Sequence, residues 1–348
     1  MKALLHDAPD APLRMADMPV PEPGPGQVLV RVGACGLGLT LAWNRKDRLV
    51  ATKAEPKTPR VIGHEAAGEV VALGSGATRF AEGDTVAAYY YLSCGACRWC
   101  DRAREDLCER LTGYVGTQVD GALAEYMVLP EHNLLPVPAG VSHLDAAVTT
   151  DAIATPLHIL TARVDLRPAE TVVVVGGGGG VGVHVVQLAA GLGGHVVAVD
   201  VDDAKLALAE EAGAAEVINA RTDRVAEEVR RRTGGADVVV ELVGTAESLG
   251  ESFESLAVGG RLAFVGSYDP TAELSINPRR LTAGELVLTG SRYCTRREVA
   301  EALELVAQGH VRPVVTRTTG LAGADDLLRA VERNEVAGRA AAVIDEGA

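Results

Sequence analysis

The segment Cys94-Gly-Ala-Cys97-Arg-Trp-Cys100, followed by Cys108, gathers four thiols into fifteen residues. Two residues between successive thiolates let a loop wrap one ion, and a fourth ligand closes a tetrahedral shell. A closed Cys₄ shell leaves no position for water or substrate. The spacing therefore predicts one structural Zn²⁺ per chain, held by Cys94, Cys97, Cys100 and Cys108 in a lobe spanning about residues 90–112. Such a site contributes on the order of 10 kcal/mol to the lobe it organises. An iron–sulfur cluster and four unliganded thiols are the competing readings of the same residues.

A second pattern points to a nucleotide. The apolar run Thr171-Val-Val-Val-Val175 leads into Gly176-Gly-Gly-Gly-Gly-Val-Gly182 and then into a helical stretch. Strand, glycine loop and helix form the setting in which a G-x-G-x-x-G spacing binds a dinucleotide. Gly177, Gly179 and Gly182 fit that spacing, with Gly180 and Val181 between them. The first permits the tight turn, the second lets backbone approach the pyrophosphate, and the third packs helix on strand. Free N–H groups at the helix start then face the phosphate charge. So glycine-rich a run fits other registers as well, and a plain turn is the bland reading.

Asp200 strengthens the nucleotide reading, because it ends the next strand, eighteen residues after Gly182. There an acid accepts the ribose hydroxyls of NAD and repels the 2′-phosphate of NADP. NAD(H) is accordingly expected in preference to NADP(H), although Val201 and Lys205 beside it pull the other way. A cap for the helix near Asp202 and Asp203 is the structural alternative for Asp200.

These motifs, with Gly63-His64-Glu65 before Gly68-Glu-Val-Val and with Gly121-Ala-Leu-Ala-Glu-Tyr126, resemble the medium-chain dehydrogenase/reductase family of zinc-containing, alcohol dehydrogenase-like enzymes. The resemblance runs along nearly the whole chain. It implies an α/β protein, a GroES-like β domain plus a Rossmann doubly wound parallel-sheet domain. The expected ranges are 1–150 with 290–348 for the GroES-like domain and 151–289 for the Rossmann domain.

The resemblance also implies a second, catalytic zinc, and here the chain departs from the pattern. Family members hold that ion through a Cys, the His of G-H-E, and a Cys or acid opening the helix into the Rossmann domain. In Gly33-Ala-Cys-Gly-Leu-Gly-Leu-Thr40 the ligand Cys is replaced by Gly38, and Leu39 and Leu41 flank Thr40. His64, Glu65 and Asp151 remain. A thiolate-free set argues against an occupied catalytic zinc. Thr40 stands where related enzymes carry the hydroxyl that relays a proton. The bland readings are a packed Thr40, a hydrogen-bonded His64, a core Cys35 and an N-capping Asp151. Trp43 and Asn44 are candidates for lining a substrate pocket, and His158 reads as core.

The elements that must position these groups are legible as runs and punctuation. Gln27–Val32, Gly68–Leu73 and Asp84–Ala88 read as strands bounded by turn residues, which suits an antiparallel β domain. From Asp151 onward strands at Thr171–Val175, His195–Asp200, Asp237–Glu241, Arg261–Val265 and Glu285–Thr289 alternate with helices at Val181–Leu192 and Ala204–Ala212. Alternation of that kind predicts a parallel sheet with crossover helices. A helix at Arg297–Gln308, a short segment at Val311–Val315 and a strand at Ala340–Ile344 complete the chain.

Composition narrows the class. At 348 residues the chain is long enough for two domains, and its formal charge of −14 argues against nucleic-acid partners. No apolar run is long enough for a membrane span and no signal peptide is visible, so a cytoplasmic enzyme acting on a small-molecule substrate is expected. A homodimer or homotetramer is expected too, through pairing at the edge strand Glu285–Thr289. Three functions compete. The first is hydride exchange between nicotinamide and an alcohol/carbonyl pair. The second is reduction of an activated C=C bond (enoyl thioester or enone) without catalytic zinc. The third is a non-catalytic, nucleotide-binding family member.

Overall fold

In this computed structural model residues 1–46, 55–266, 269 and 271–345 are described. The chain divides into two compact units, Met1–Ala154 with Cys294–Ala348 and Thr155–Tyr293. The 290–348 range expected for the first domain runs past the described residues at 346–348.

The first unit is built around one long strand, Gln27–Leu37. It pairs antiparallel with Ala66–Leu73, with Tyr126–Pro130 and with Arg339–Val343. Val28, Val30 and Val32 are fully buried, and burial is continuous from Val32 to Leu37, so this part of the strand is covered on both faces. The full sheet has seven strands, with Val315–Thr319 beyond Arg339–Val343 at one end and Leu134–Pro136 at the other. The segment expected at Val311–Val315 thus forms its strand later, after Pro313, which has no N–H to donate. The pairing of Ala340 with Leu37 matters most for function. It sets Arg339 beside Gly38.

The second unit is a six-stranded parallel sheet. Its order is Glu216–Asn219, His195–Asp200, Thr171–Val175, Ala236–Glu241, Leu256–Phe264 and Val287–Gly290. That order starts in the middle and winds outward on both sides, as in dinucleotide-binding sheets. The central strand is an unbroken valine run covered on both faces, so its hydrophobicity does not alternate. Val173, Val197, Val239, Phe253 and Leu262 anchor its core. The last strand begins at Val287, two residues later than expected, because Glu285 closes the preceding helix in a left-handed conformation (φ 47°).

A helical run from His143 to Arg163 includes two π turns, Thr149–Ile153 and Ile159–Arg163. Ser142 caps it, accepting from the Asp145 N–H. Asp151 therefore neither opens nor caps a helix, contrary to expectation. It sits inside the first π turn, a distortion that re-aims a side chain out of the regular helical register.

Candidate functional site

Three groups of residues carry chemistry. The Cys94, Cys97, Cys100 and Cys108 sulfurs converge as the spacing requires. Cys97 Sγ lies 3.5 Å from Cys100 Sγ and 3.9 Å from Cys108 Sγ, and Cys94 Sγ lies 4.0 Å from Cys100 Sγ. All four are within 4.8 Å of one another, the separation expected of thiolates sharing one tetrahedral Zn²⁺ at about 2.3 Å from each. Backbone N–H groups, first that of Cys100, draw the Cys97 thiol down to about 6. Burial pushes Cys108 up to about 12. Four thiolates share so small a volume only around a cation. The donor set fits one zinc.

The glycine loop forms the second group. Gly176 turns the chain at φ 84°. A Cβ on Gly182 would fall 2.8 Å from the Gly176 carbonyl carbon, so helix Gly182–Gly191 approaches the loop only because that position is glycine. Gly179 differs, since its Cβ would meet nothing nearer than the Gly176 oxygen at 3.3 Å. Packing does not demand glycine there, and a ligand approaching the backbone would. Gly178 was overlooked in the motif. Its N–H donates to Asp200 Oδ2 at 3.2 Å and its missing Cβ admits the Lys205 backbone.

Asp200 also accepts from the Val201 N–H at 2.8 Å, and burial raises its carboxyl while Lys205 pulls it back. Burial likewise lowers the Lys205 ammonium. The cap of the following helix is Asp202, which accepts from the Ala204 and Lys205 N–H groups. Asp200 is thus free of the capping role that was its structural alternative. Residues 177–182 with Asp200 have the shape and donors of a dinucleotide cradle.

The third group lies in the first unit. Gly63, at φ 108°, bends the chain between strands Arg60–Val61 and Ala66–Leu73 and turns His64 and Glu65 inward, where both are fully buried. His64 Nε2 lies 3.4 Å from Asp151 Oδ2 and 4.0 Å from Glu65 Oε1. Among the described residues His64 Nδ1, buried, has no hydrogen-bond partner, and the Tyr90 ring centroid lies 4.3 Å from that of the imidazole. Three donor atoms from His64, Glu65 and Asp151 meet within 4.8 Å.

Arg339 completes this group, and the motif analysis missed it. Its Nε donates to Glu65 Oε2 at 3.1 Å and its Nη2 to Glu65 Oε1, forming a bidentate pair. Nη2 also lies 3.9 Å from Asp151 Oδ2. Burial pushes the Glu65 carboxyl up, against the pull of Arg339. A Cβ on Gly38 would fall 2.5 Å from the guanidinium Cζ. The space a ligand side chain at position 38 would enter is filled by arginine.

Other candidates resolve differently. Thr40 is the second residue of the short helix Leu39–Arg45 and is half-buried. Asn44 does not line a pocket. Its amide donates to the Gly116 carbonyl and to Thr117 Oγ1, while its own oxygens take the Arg60 guanidinium. Cys35 is a core residue whose thiol burial holds far toward the neutral form. His158 is buried as well.

Comparison with known proteins agrees with this architecture. Residues 24–139 match the alcohol dehydrogenase GroES-like domain, and residues 180–308 match the zinc-binding dehydrogenase domain. The NAD-dependent alcohol dehydrogenase of Sulfolobus acidocaldarius is 31% identical over 97% of this chain and 98% of its own. The chain belongs to the zinc-type medium-chain dehydrogenase/reductase family. Acryloyl-coenzyme A reductase of Metallosphaera sedula is 30% identical over 92% of this chain and 93% of that protein. The solved structure of an NAD-dependent alcohol dehydrogenase superposes with a TM-score of 0.91 at 34% identity, covering 99% of this chain and all of that one. The protein is an alcohol dehydrogenase-like oxidoreductase of this family, so the non-catalytic reading is set aside. No helix among the described residues is long and apolar enough to cross a membrane.

Proposed function

We propose that this oxidoreductase transfers hydride without a metal ion at its chemistry, prefers NAD(H) over NADP(H), and reduces an activated C=C bond in an enoyl thioester or enone. The observation that carries the reading is the Arg339 guanidinium lodged against Gly38 and paired with Glu65. His64, Glu65 and Asp151 with an arginine among them do not fit a catalytic zinc. The set lacks the thiolate and already contains a cation. A carbonyl that must be polarised from outside wants a Lewis acid. A conjugated C=C bond carries its own electron sink, and the developing enolate needs only hydrogen-bond donors.

The nicotinamide nucleotide supplies the hydride when bound. In this reading Gly177, Gly179, Gly180, Val181 and Gly182 turn their backbone toward the pyrophosphate, and Asp200 accepts the ribose hydroxyls. Lys205 tempers the charge of Asp200 and weakens its discrimination against a 2′-phosphate. The Thr40 hydroxyl is the proposed proton relay. His64 and Asp151 form a hydrogen-bonded pair, and Glu65 fixes Arg339.

An alcohol/carbonyl substrate is the second reading. The retained His64, Glu65 and Asp151, with donor atoms within 4.8 Å of one another, favour it, as do the alcohol dehydrogenase relatives. The test is NADH oxidation by the wild-type enzyme against matched enoyl thioesters, enones, ketones and aldehydes, with zinc counted per chain. Turnover of C=C substrates at one zinc per chain supports the proposal. Turnover of ketones or aldehydes alone, at two zinc ions per chain, overturns it.

A cytoplasmic homodimer or homotetramer belongs to the same reading. Strand Val287–Gly290 closes the sheet on one side and pairs only with Leu256–Phe264 among the described strands, and Val287 is 49% exposed. Such an edge is suited to pairing with its copy.

A further inference from the structure

We propose that Gly38 and Arg339 are a matched pair in which a tethered guanidinium replaces a dissociable metal ion, Gly38 vacating the space and Arg339 filling it. The inference rests on the metal-independent reading above but concerns a different quantity, the cation affinity of the His64, Glu65 and Asp151 cluster. Glu65 is wholly buried and Asp151 nearly so. Two buried carboxylates this close require a positive partner. Arg339 meets the requirement with a fork that grips both Glu65 oxygens and reaches toward Asp151 Oδ2 at 3.9 Å. A planar fork of this kind suits a carboxylate better than a point charge does.

The geometry makes the exchange mutual. A Cβ at position 38 would lie 2.5 Å from both Cζ and Nη1 of Arg339, so a ligand side chain there requires the guanidinium to shift. Among the described residues His64 Nδ1 is buried and unpartnered, and Nε2 faces Asp151. Arginine thus closes the site to metal both by volume and by charge. Because its Nε and Nη2 donate to Glu65, Arg339 acts as a positioning residue. It holds Glu65 in place beside Asp151.

Cobalt(II) is the probe. Wild-type protein, Arg339→Ala and the double variant Gly38→Cys with Arg339→Ala are reconstituted with Co²⁺. Metal per chain, visible absorption and Tm with and without the ion are then measured. Wild type should hold one ion per chain, in the Cys₄ lobe. Arg339→Ala should take a second at least tenfold more tightly than wild type and gain Tm on its addition. The double variant should also show a thiolate-to-cobalt charge-transfer band. A second ion in wild type with the same affinity overturns the proposal, as does a folded double variant that binds only one. If Arg339→Ala fails to fold alone, recovery on refolding with Co²⁺ supports the proposal, and equal failure with and without the ion overturns it. The wild-type substrate panel is read separately, so C=C reduction can stand while this pairing falls.

Discussion

The Cys₄ lobe and the His64–Glu65–Asp151 cluster are both tight groups of metal-ligating side chains, yet they balance charge in opposite ways. The four sulfurs lie within 4.8 Å of one another, and the lobe is complete only with an ion. In the second cluster Arg339 stands within the donor set. The difference teaches that a ligand count does not define a metal site. What matters is whether the protein has already supplied the positive charge.

The largest effect should come from the lobe. Stripping its zinc with a strong chelator removes a contribution on the order of 10 kcal/mol, and limited proteolysis should then cut within about residues 90–112. Cuts elsewhere, with this segment still protected, would break the contrast from the lobe's side. Next in size is Arg339→Ala in metal-free buffer. Removing one partner of a buried ion pair should cost roughly 3–5 kcal/mol in denaturant unfolding. A loss below 1 kcal/mol would mean that Glu65 does not depend on it.

Asp200 lies between these extremes, a buried acid whose partner Lys205 only partly offsets burial. Asp200→Ala should weaken NADH binding roughly 10- to 100-fold, as loss of about 1.5–3 kcal/mol of charged hydrogen bonding implies, and raise relative affinity for NADP⁺. Unchanged cofactor preference in a fluorescence titration would refute its role. The smallest effect is a pH dependence of the cofactor-free protein. Burial raises the Asp200 carboxyl above its ordinary 3.8, so folding favours the protonated form. Its stabilising contribution is full below that value and is lost as pH rises through the folded one. The stability of wild type relative to Asp200→Asn should therefore fall as pH rises above about 4. A flat difference in Tm above that pH would contradict the assignment.

Much of this was legible from local patterns. The cysteine spacing, the glycine loop and the acid after the second strand are short-range signals, and each points to its chemistry without the fold. Asp151 was misread as a helix opener because π geometry leaves no mark in apolar periodicity. Asn44 looked like a pocket residue because polar side chains near a candidate site invite that reading, whereas its hydrogen bonds are structural. Arg339 carried the faintest signal, one charge at the entry to the apolar strand Ala340–Ile344. The vacancy at Gly38 was its complement, but nothing in the sequence joins two positions so far apart. The β pairing that joins them is purely tertiary.

That separation bears on how the protein is made. Glu65 and Arg339 are 274 residues apart, so a ribosome delivers the buried acid long before its counter-charge. The Thr155–Tyr293 unit leaves the exit tunnel whole, as a segment able to collapse on its own nucleus. The first unit must wait. Until Arg339–Val343 adds to the exposed side of Gln27–Leu37, its sheet has an open edge and its interior an uncompensated anion. Completion of the first unit therefore depends on its last strand, and nascent chains halted before Arg339 should be captured by chaperones while the Thr155–Tyr293 unit is already protease-resistant.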